Sequence, residues 1–259
     1  MNSSKFNKWF NLFILVGMTV AMVLATLYKL RTADSGQALL IVAAFGSLMG
    51  VLSTVCSANA KILTFLFGLF DVSIYGVMCF MSGKYGNAAL HLLYFLPMQF
   101  VGFFQWRRRG GASGEKLKAR RLMPMQRLLY AAAFLAGSAL CYFILYRVSG
   151  SADPLSGGAA VSVLKLGILS DALSTVCNIF GQLLMSMAYM EQWVFWIGVN
   201  VASVVMWSHT LSQSAAAGTD SSYALIYLVK YSFYLLNSLN GLRIWLSLSC
   251  PEKSGDARQ

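Results

Sequence analysis

Long apolar runs, separated by short polar, Gly-rich or charged stretches, make up most of the chain. Cutting at that punctuation predicts eight helical spans, at roughly 10–30, 38–55, 61–81, 86–106, 127–147, 162–189, 192–211 and 223–247. Each is about the length needed to cross a hydrocarbon core as a helix, and the stretch 128–146 contains no charged residue. A strand of a membrane β-barrel would alternate apolar and polar over about ten residues, whereas a continuous apolar run satisfies its own backbone hydrogen bonds only as a helix. The fold class expected is an all-α polytopic membrane protein with eight transmembrane helices.

Composition agrees with that pattern. Of 259 residues, 58% are hydrophobic and 11% charged, against about 25% charge in ordinary soluble domains, which excludes a soluble globule. The net charge of +11 sits largely in one loop, and basic loops beside membrane spans are topology signals, so no nucleic-acid partner is implied. Five cysteines form no C-x-x-C pair and suggest neither a disulfide framework nor a metal site. Lys5 and Lys8 before the run Phe10 to Leu30 imitate a signal peptide, yet that run exceeds the usual h-region and lacks a clear A-x-A site, so it reads as a retained helix.

Lysine and arginine divide unequally between the two sides. With the N-terminus inside, fourteen share its compartment: Lys5, Lys8, Lys61, Arg107, Arg108, Arg109, Lys116, Lys118, Arg120, Arg121, Arg127, Arg243, Lys253 and Arg258. Five face the other (Lys29, Arg31, Lys84, Arg147, Lys165), and Lys230 lies inside the last span. The positive-inside rule then puts both termini and the basic loop in the cytoplasm.

An internal echo organises the spans. Leu52-Ser53-Thr54-Val55-Cys56 recurs as Leu173-Ser174-Thr175-Val176-Cys177, 121 positions on, with Gly46 matched by Gly167; Gly102-x-x-x-Trp106 recurs as Gly241-x-x-x-Trp245. The expected organisation is an extra N-terminal helix (1–34), a first three-helix repeat (35–109), a basic cytoplasmic loop and linker helix (110–160), a second, parallel three-helix repeat (161–248) and a cytoplasmic tail (249–259). The linker helix inverts the chain so that the two repeats run parallel about an axis along the membrane normal.

Polar groups that persist inside apolar spans point to a cavity. Trp193, Trp196, Asn200 and Trp207 share one helix face, and Tyr223, Tyr227, Lys230, Tyr234, Asn237 and Gly241 share another. In the fourth span Gln99 lies on a face with His91, and Pro97 is expected to kink the helix. Asp71 and Asp171 are isolated acids within spans; either could pair with Lys230 or bind a coupling cation. No H-E-x-x-H helix, G-x-S-x-G elbow or Walker loop is present, so neither an enzyme nor an ATP-driven pump is expected. A cavity of Trp and Tyr faces with Asn, Gln and a lysine suits a flat, hydroxylated aromatic solute such as a nucleoside.

Three motifs, Trp193-x-x-Trp196-x-x-x-Asn200, Asn237-x-x-Asn240-Gly241-x-x-x-Trp245 and Pro97-Met98-Gln99-x-x-Gly102-Phe103-x-x-Trp106, make residues 38–247 resemble the PnuC family of bacterial nicotinamide riboside transporters. The resemblance implies a three-plus-one-plus-three fold reminiscent of the SWEET sugar transporters. It implies uptake of nicotinamide riboside through the inner membrane by facilitated diffusion, trapping by a cytosolic ribosylnicotinamide kinase, no cofactor, and a homotrimer. Carried over by position, Trp193 and Trp196 would stack the ring, Gln99, Asn200 and Asn237 would recognise polar groups, and Tyr227 and Tyr234 would stack or gate. Lys230 is open between a ligand hydroxyl contact and a salt bridge with Asp71. Thiamine or riboflavin on the same fold, or a non-transporting membrane scaffold, are the alternative readings.

Overall fold

A computed structural model describes residues 3–32, 37–81, 85–111, 117–149, 158–218 and 222–249. Lys84, Lys116, Lys253, Arg258 and most of the expected cytoplasmic tail lie outside the described residues, as do the side chains of Lys165 and Tyr223. Eight helical segments follow one another: α1 (Ser3–Thr32), α2 (Gln37–Ala58), α3 (Leu63–Met81), α4 (85–106), α5 (Pro124–Ser149), α6 (Gly158–Ser186), α7 (Gln192–Ala216) and α8 (Ser222–Leu248). Among the described residues seven helices are long and apolar enough to cross a membrane. α8 carries Lys230 and Arg243, yet its 27 residues reach about 40 Å at 1.5 Å per residue. Leu128, Leu135, Leu140 and Val148 of α5 are exposed, as side chains bathed in lipid are.

α4 is not uniform. Leu90–Phe95 forms a widened π turn in which the Leu96 N–H reaches back to the His91 carbonyl. Pro97, next in the chain, has no N–H to donate and its ring crowds the preceding turn, so the helix unwinds locally just before it. The expected kink at Pro97 is thus accommodated as a wider turn.

α2 packs on α3, α7 on α8 and α5 on α6, while α1 lies against α2 and α8. Between one set of helices, α2–α4, and another, α6–α8, α2 meets α8 and α4 meets α6. The first helices of the sets end alike. In α2 the Lys61 N–H bonds the Cys56 carbonyl (2.9 Å) and the Ala60 N–H that of Ser57 (3.0 Å); in α6 the Tyr189 N–H bonds Leu184 (2.8 Å) and the Ala188 N–H Met185 (3.0 Å). Both are Schellman ends, and both place an alanine in the left-handed position, Ala60 at φ 53° and Ala188 at φ 60°. The expected span 162–189 therefore stops at Ser186.

Those two turns are cross-linked by the echoed tryptophans. Trp245 Nε1 donates to the Ser57 carbonyl (3.0 Å) and Trp106 Nε1 to the Met185 carbonyl (2.8 Å). Ser57 and Met185 each stand three residues before a left-handed alanine, so each set's last helix is tied to the same point on the other set's first helix. The matched glycines serve the same packing: Gly102 makes room for the Phe65 ring and Gly241 for the Trp193 indole, where a Cβ would overlap the ring. Trp106, Trp193 and Trp245, with Phe65 and Met185, form a core at the end of the bundle that carries Arg107–Arg109.

Across that basic end runs a strap, residues 117–122. Arg120 and the turn at Tyr189 form a parallel bridge, with Arg120 N–H to Ala188 O at 2.7 Å and Met190 N–H to Arg120 O at 2.9 Å. The Arg120 guanidinium lies 4.3 Å over the Tyr189 ring, and Leu117 is buried in the tryptophan core. Leu122 N–H bonds Glu191, which also pairs with Arg127 (3.3 Å), and Arg121 bonds Ser249 and the Leu246 carbonyl at the end of α8.

An alanine held in the left-handed region costs about 1 kcal/mol relative to glycine. Ala60→Gly is expected to raise the thermal unfolding midpoint, whereas Ala188→Gly, which also deletes a fully buried methyl, is expected to be close to neutral; scanning fluorimetry of the purified variants distinguishes the two.

Candidate functional site

The two sets of helices enclose a cavity of about 990 Å³, at the upper end of the size usual for small-molecule sites. It reaches from Trp193 and Met185 of the tryptophan core, with Ser57, to Gly86 and Asn87 in the first turn of α4 at the opposite end. Its wall is polar where the flanking helices face it. The echoed segment contributes from both sides, Ser53 and Thr54 from α2 and Ser174 and Thr175 from α6.

Of the residues singled out in the sequence, Gln99, Trp193, Trp196, Asn200, Lys230 and Tyr234 line this cavity. Gln99 is 4% exposed; its Nε2 donates to the Phe95 carbonyl one turn back (3.2 Å), while Oε1 is buried with no partner. Its amide lies against Gly68 and Ser53. An unpaired buried amide oxygen costs about 1–3 kcal/mol, a cost that a donor reaching it from the cavity would relieve. Trp196 is half-buried and rests on Gly181 of α6, while Trp193 is 2% exposed and belongs chiefly to the floor. Asn200 Nδ2 donates to Ser238 Oγ (2.8 Å), which itself donates to the Tyr234 carbonyl, so the Asn200 side chain is fixed with its oxygen left for the cavity.

Tyr227 and Asn237 do not line the cavity. Asn237 is fully buried and donates to the Thr54 carbonyl (3.2 Å), pinning α8 to α2. Tyr227 stacks near Trp207 (4.7 Å between centroids) and receives Lys29 of α1 at 3.4 Å. The stripe on α8 keeps close to the helical repeat of 3.6 residues per turn, so Tyr227 and Asn237 leave the cavity not by drift but because each is drawn into a contact with a neighbouring helix. Lys230 stays with the cavity, its ammonium 5.5–5.8 Å from the ring centroids of Tyr227, Tyr231 and Tyr234. Among the described residues no ion pair joins it to Asp71, although both face the same space.

The sequence reading passed over Asn178 and Gln182. Both line the cavity, and with Ser174 and Ser186 they step by four along α6, a polar stripe in an apolar helix that could have marked the wall. His91 also faces the cavity, its Nδ1 2.9 Å from the Asn87 carbonyl and its ring against Tyr75 and Phe95.

The groups α2–α4 and α6–α8 differ where a ligand would sit. Phe65 and Trp193 stand in the same place, each received by a glycine of its set's last helix, 128 positions apart. One turn along at the same offset, Trp196 corresponds to Gly68. One wall presents an indole; at the matching position of the other, Gly68 leaves room that the Gln99 amide fills. Such a site can hold a planar ring by its face and an amide by its edge.

The family model described as nicotinamide mononucleotide transporter matches residues 40–247. The nicotinamide riboside transporter PnuC of Neisseria mucosa is 33% identical over 210 residues, covering 80% of this chain and 72% of that protein. That of Haemophilus influenzae is 29% identical over 220 residues, 84% and 82% of the two chains. A solved structure, the crystal structure of the vitamin B3 transporter PnuC, superposes with a TM-score of 0.62 at 30% identity and covers 91% of each chain.

Proposed function

The chain belongs to the nicotinamide mononucleotide transporter family, that of the PnuC proteins, and from that premise we propose that it takes up nicotinamide riboside through the bacterial inner membrane by facilitated diffusion. It is a membrane transporter and not an enzyme. The observation that carries the substrate reading is the pairing of the Trp196 indole with the orphaned Oε1 of buried Gln99 across one cavity. A nicotinamide ring offers a π face to the first and a carboxamide N–H to the second, and ribose hydroxyls suit the Asn200 oxygen and the Asn178–Gln182 stripe.

The matching helix ends and reciprocal tryptophan bonds support a duplicated plan of eight transmembrane helices, one extra helix followed by three, one linker and three. The lysine and arginine distribution supports cytoplasmic termini, which makes the tryptophan core an inner closure and the cavity one that faces outward. Inward release then requires the two sets to rock about the midplane, with the widened turn before Pro97 as a candidate hinge. Entry runs down the solute's gradient, and phosphorylation by a cytosolic kinase retains it. A homotrimer rests on the family resemblance.

Proteoliposomes containing the purified chain are expected to take up labelled nicotinamide riboside saturably, with no dependence on a sodium or proton gradient, and to equilibrate rather than accumulate it. Uptake of thiamine or riboflavin in its place would overturn the substrate; accumulation driven by an ion gradient would overturn the mechanism.

A further inference from the structure

Resting on the substrate reading above, the geometry points to Asp71 as the residue that selects a positively charged ligand ring over a neutral one of the same shape. Asp71 is half-buried on α3 and faces the cavity. It lies three residues from Gly68, the position that holds the Gln99 amide, so the carboxylate and that amide sit about one helical turn, roughly 5 Å, apart along a single wall. Gly50 of α2 gives the carboxylate its room: a Cβ there would come within 2.9 Å of Asp71 Cγ. In a nicotinamide ring the carboxamide on C3 is meta to the quaternary nitrogen N1, and the amide group and that nitrogen are separated by a comparable spacing. With the carboxamide on Gln99, the ring's positive charge falls beside Asp71.

The other charges on the cavity wall fit this role. The position matching Asp71 in α7, at the offset that relates Phe65 to Trp193, is Val199, so α7 presents no carboxylate at that level. Lys230 faces the same cavity from α8, and its ammonium is held within a group of three tyrosine rings. A cationic ligand therefore meets attraction from Asp71 and opposition from Lys230. Asp171, the other cavity carboxylate, is exposed on α6, seven residues from Asn178 and nearer the far end.

The test measures equilibrium binding to the purified full chain of two ligands, nicotinamide riboside, a pyridinium cation, and its dihydro form, a neutral ring of nearly the same size. Asp71→Asn is expected to weaken binding of the cation by about tenfold or more and to leave the neutral form within about twofold, because only the charge interaction is removed. Lys230→Met is expected to shift the preference further toward the cation, and Asp171→Asn to preserve the wild-type preference. Retained binding of the neutral form reports an intact cavity in the aspartate variant; should that variant not fold, Asp71→Ser is measured in its place with the same two outcomes. Equal loss of both ligands in Asp71→Asn, no change in either, or loss of preference in Asp171→Asn would overturn the assignment while leaving the substrate reading in place. Wild-type protein that binds neither form would overturn both.

Discussion

Trp196→Ala is expected to weaken nicotinamide riboside binding by about 10- to 100-fold, since stacking a base-like ring on an aromatic side chain is worth about 1–3 kcal/mol and about 1.4 kcal/mol is tenfold in affinity. Trp193→Ala should behave differently. Its indole is 2% exposed, fills the space over Gly241 and packs at 6.3 Å on Trp245, so truncation removes core packing worth about 3–5 kcal/mol. Calorimetric titration beside scanning fluorimetry separates the two: Trp196→Ala loses affinity with the smaller change in unfolding midpoint, Trp193→Ala loses midpoint first. A Trp196→Ala protein with wild-type affinity would remove ring stacking on this face from the model of recognition.

The largest expected loss of stability comes from Gly241→Val. Any Cβ at this position overlaps the Trp193 indole, and neither can yield: Trp193 is enclosed, and the neighbouring Trp245 is fully buried and bonded to Ser57. Overpacking of a filled core costs about 1–3 kcal/mol when side chains can shift, and more is expected here because the backbone of α8 must move. Gly102→Val should act alike through Phe65. Gly198→Ala, with nothing within 4 Å of its Cβ, is the contrasting case and is expected to be neutral or slightly stabilising, alanine being the better helix former. Thermal unfolding of the three variants ranks them, and a Gly241→Val midpoint equal to that of Gly198→Ala would refute the packing argument.

The helices were legible because each is an unbroken apolar run, and the echoed Gly-x-x-x-Trp segments were legible because identical packing needs identical residues. The ends of α2 and α6 were not. A Schellman end normally announces itself by glycine, and here both left-handed positions are alanines, Ala60 and Ala188. The correspondence between α2–α4 and α6–α8 was also obscured: the Ser-Thr-Val-Cys echo runs at 121 positions, but the helix ends and the Phe65–Trp193 match run at 128, a difference of seven residues, about two turns. Only with the second offset does Gly68 come opposite Trp196 in the plan. Of the site, the aromatic face of α7 and Gln99 could be read from spacing, since polar and aromatic residues in an apolar helix stand out. Asn237 and Tyr227 stood out for the same reason, yet one pins α8 to α2 and the other meets Lys29 of α1, contacts between helices that no spacing within one helix can reveal.

The strap has a consequence for how the chain is made. Its ties run back to Arg109, whose carbonyl accepts the Lys118 N–H, and forward to Ala188, Met190 and Glu191, and then to Leu246 and Ser249. Residues leave the ribosome in order, at about 5–20 per second. The strap is therefore synthesised well before most of what it fastens, and Arg121 finds its partners only after α8 has emerged. Trp245, needed to complete the tryptophan core, arrives with them. The floor of the cavity is the last part of the molecule to be finished, and a nascent chain that has inserted every helix but α8 is still a vessel without a base.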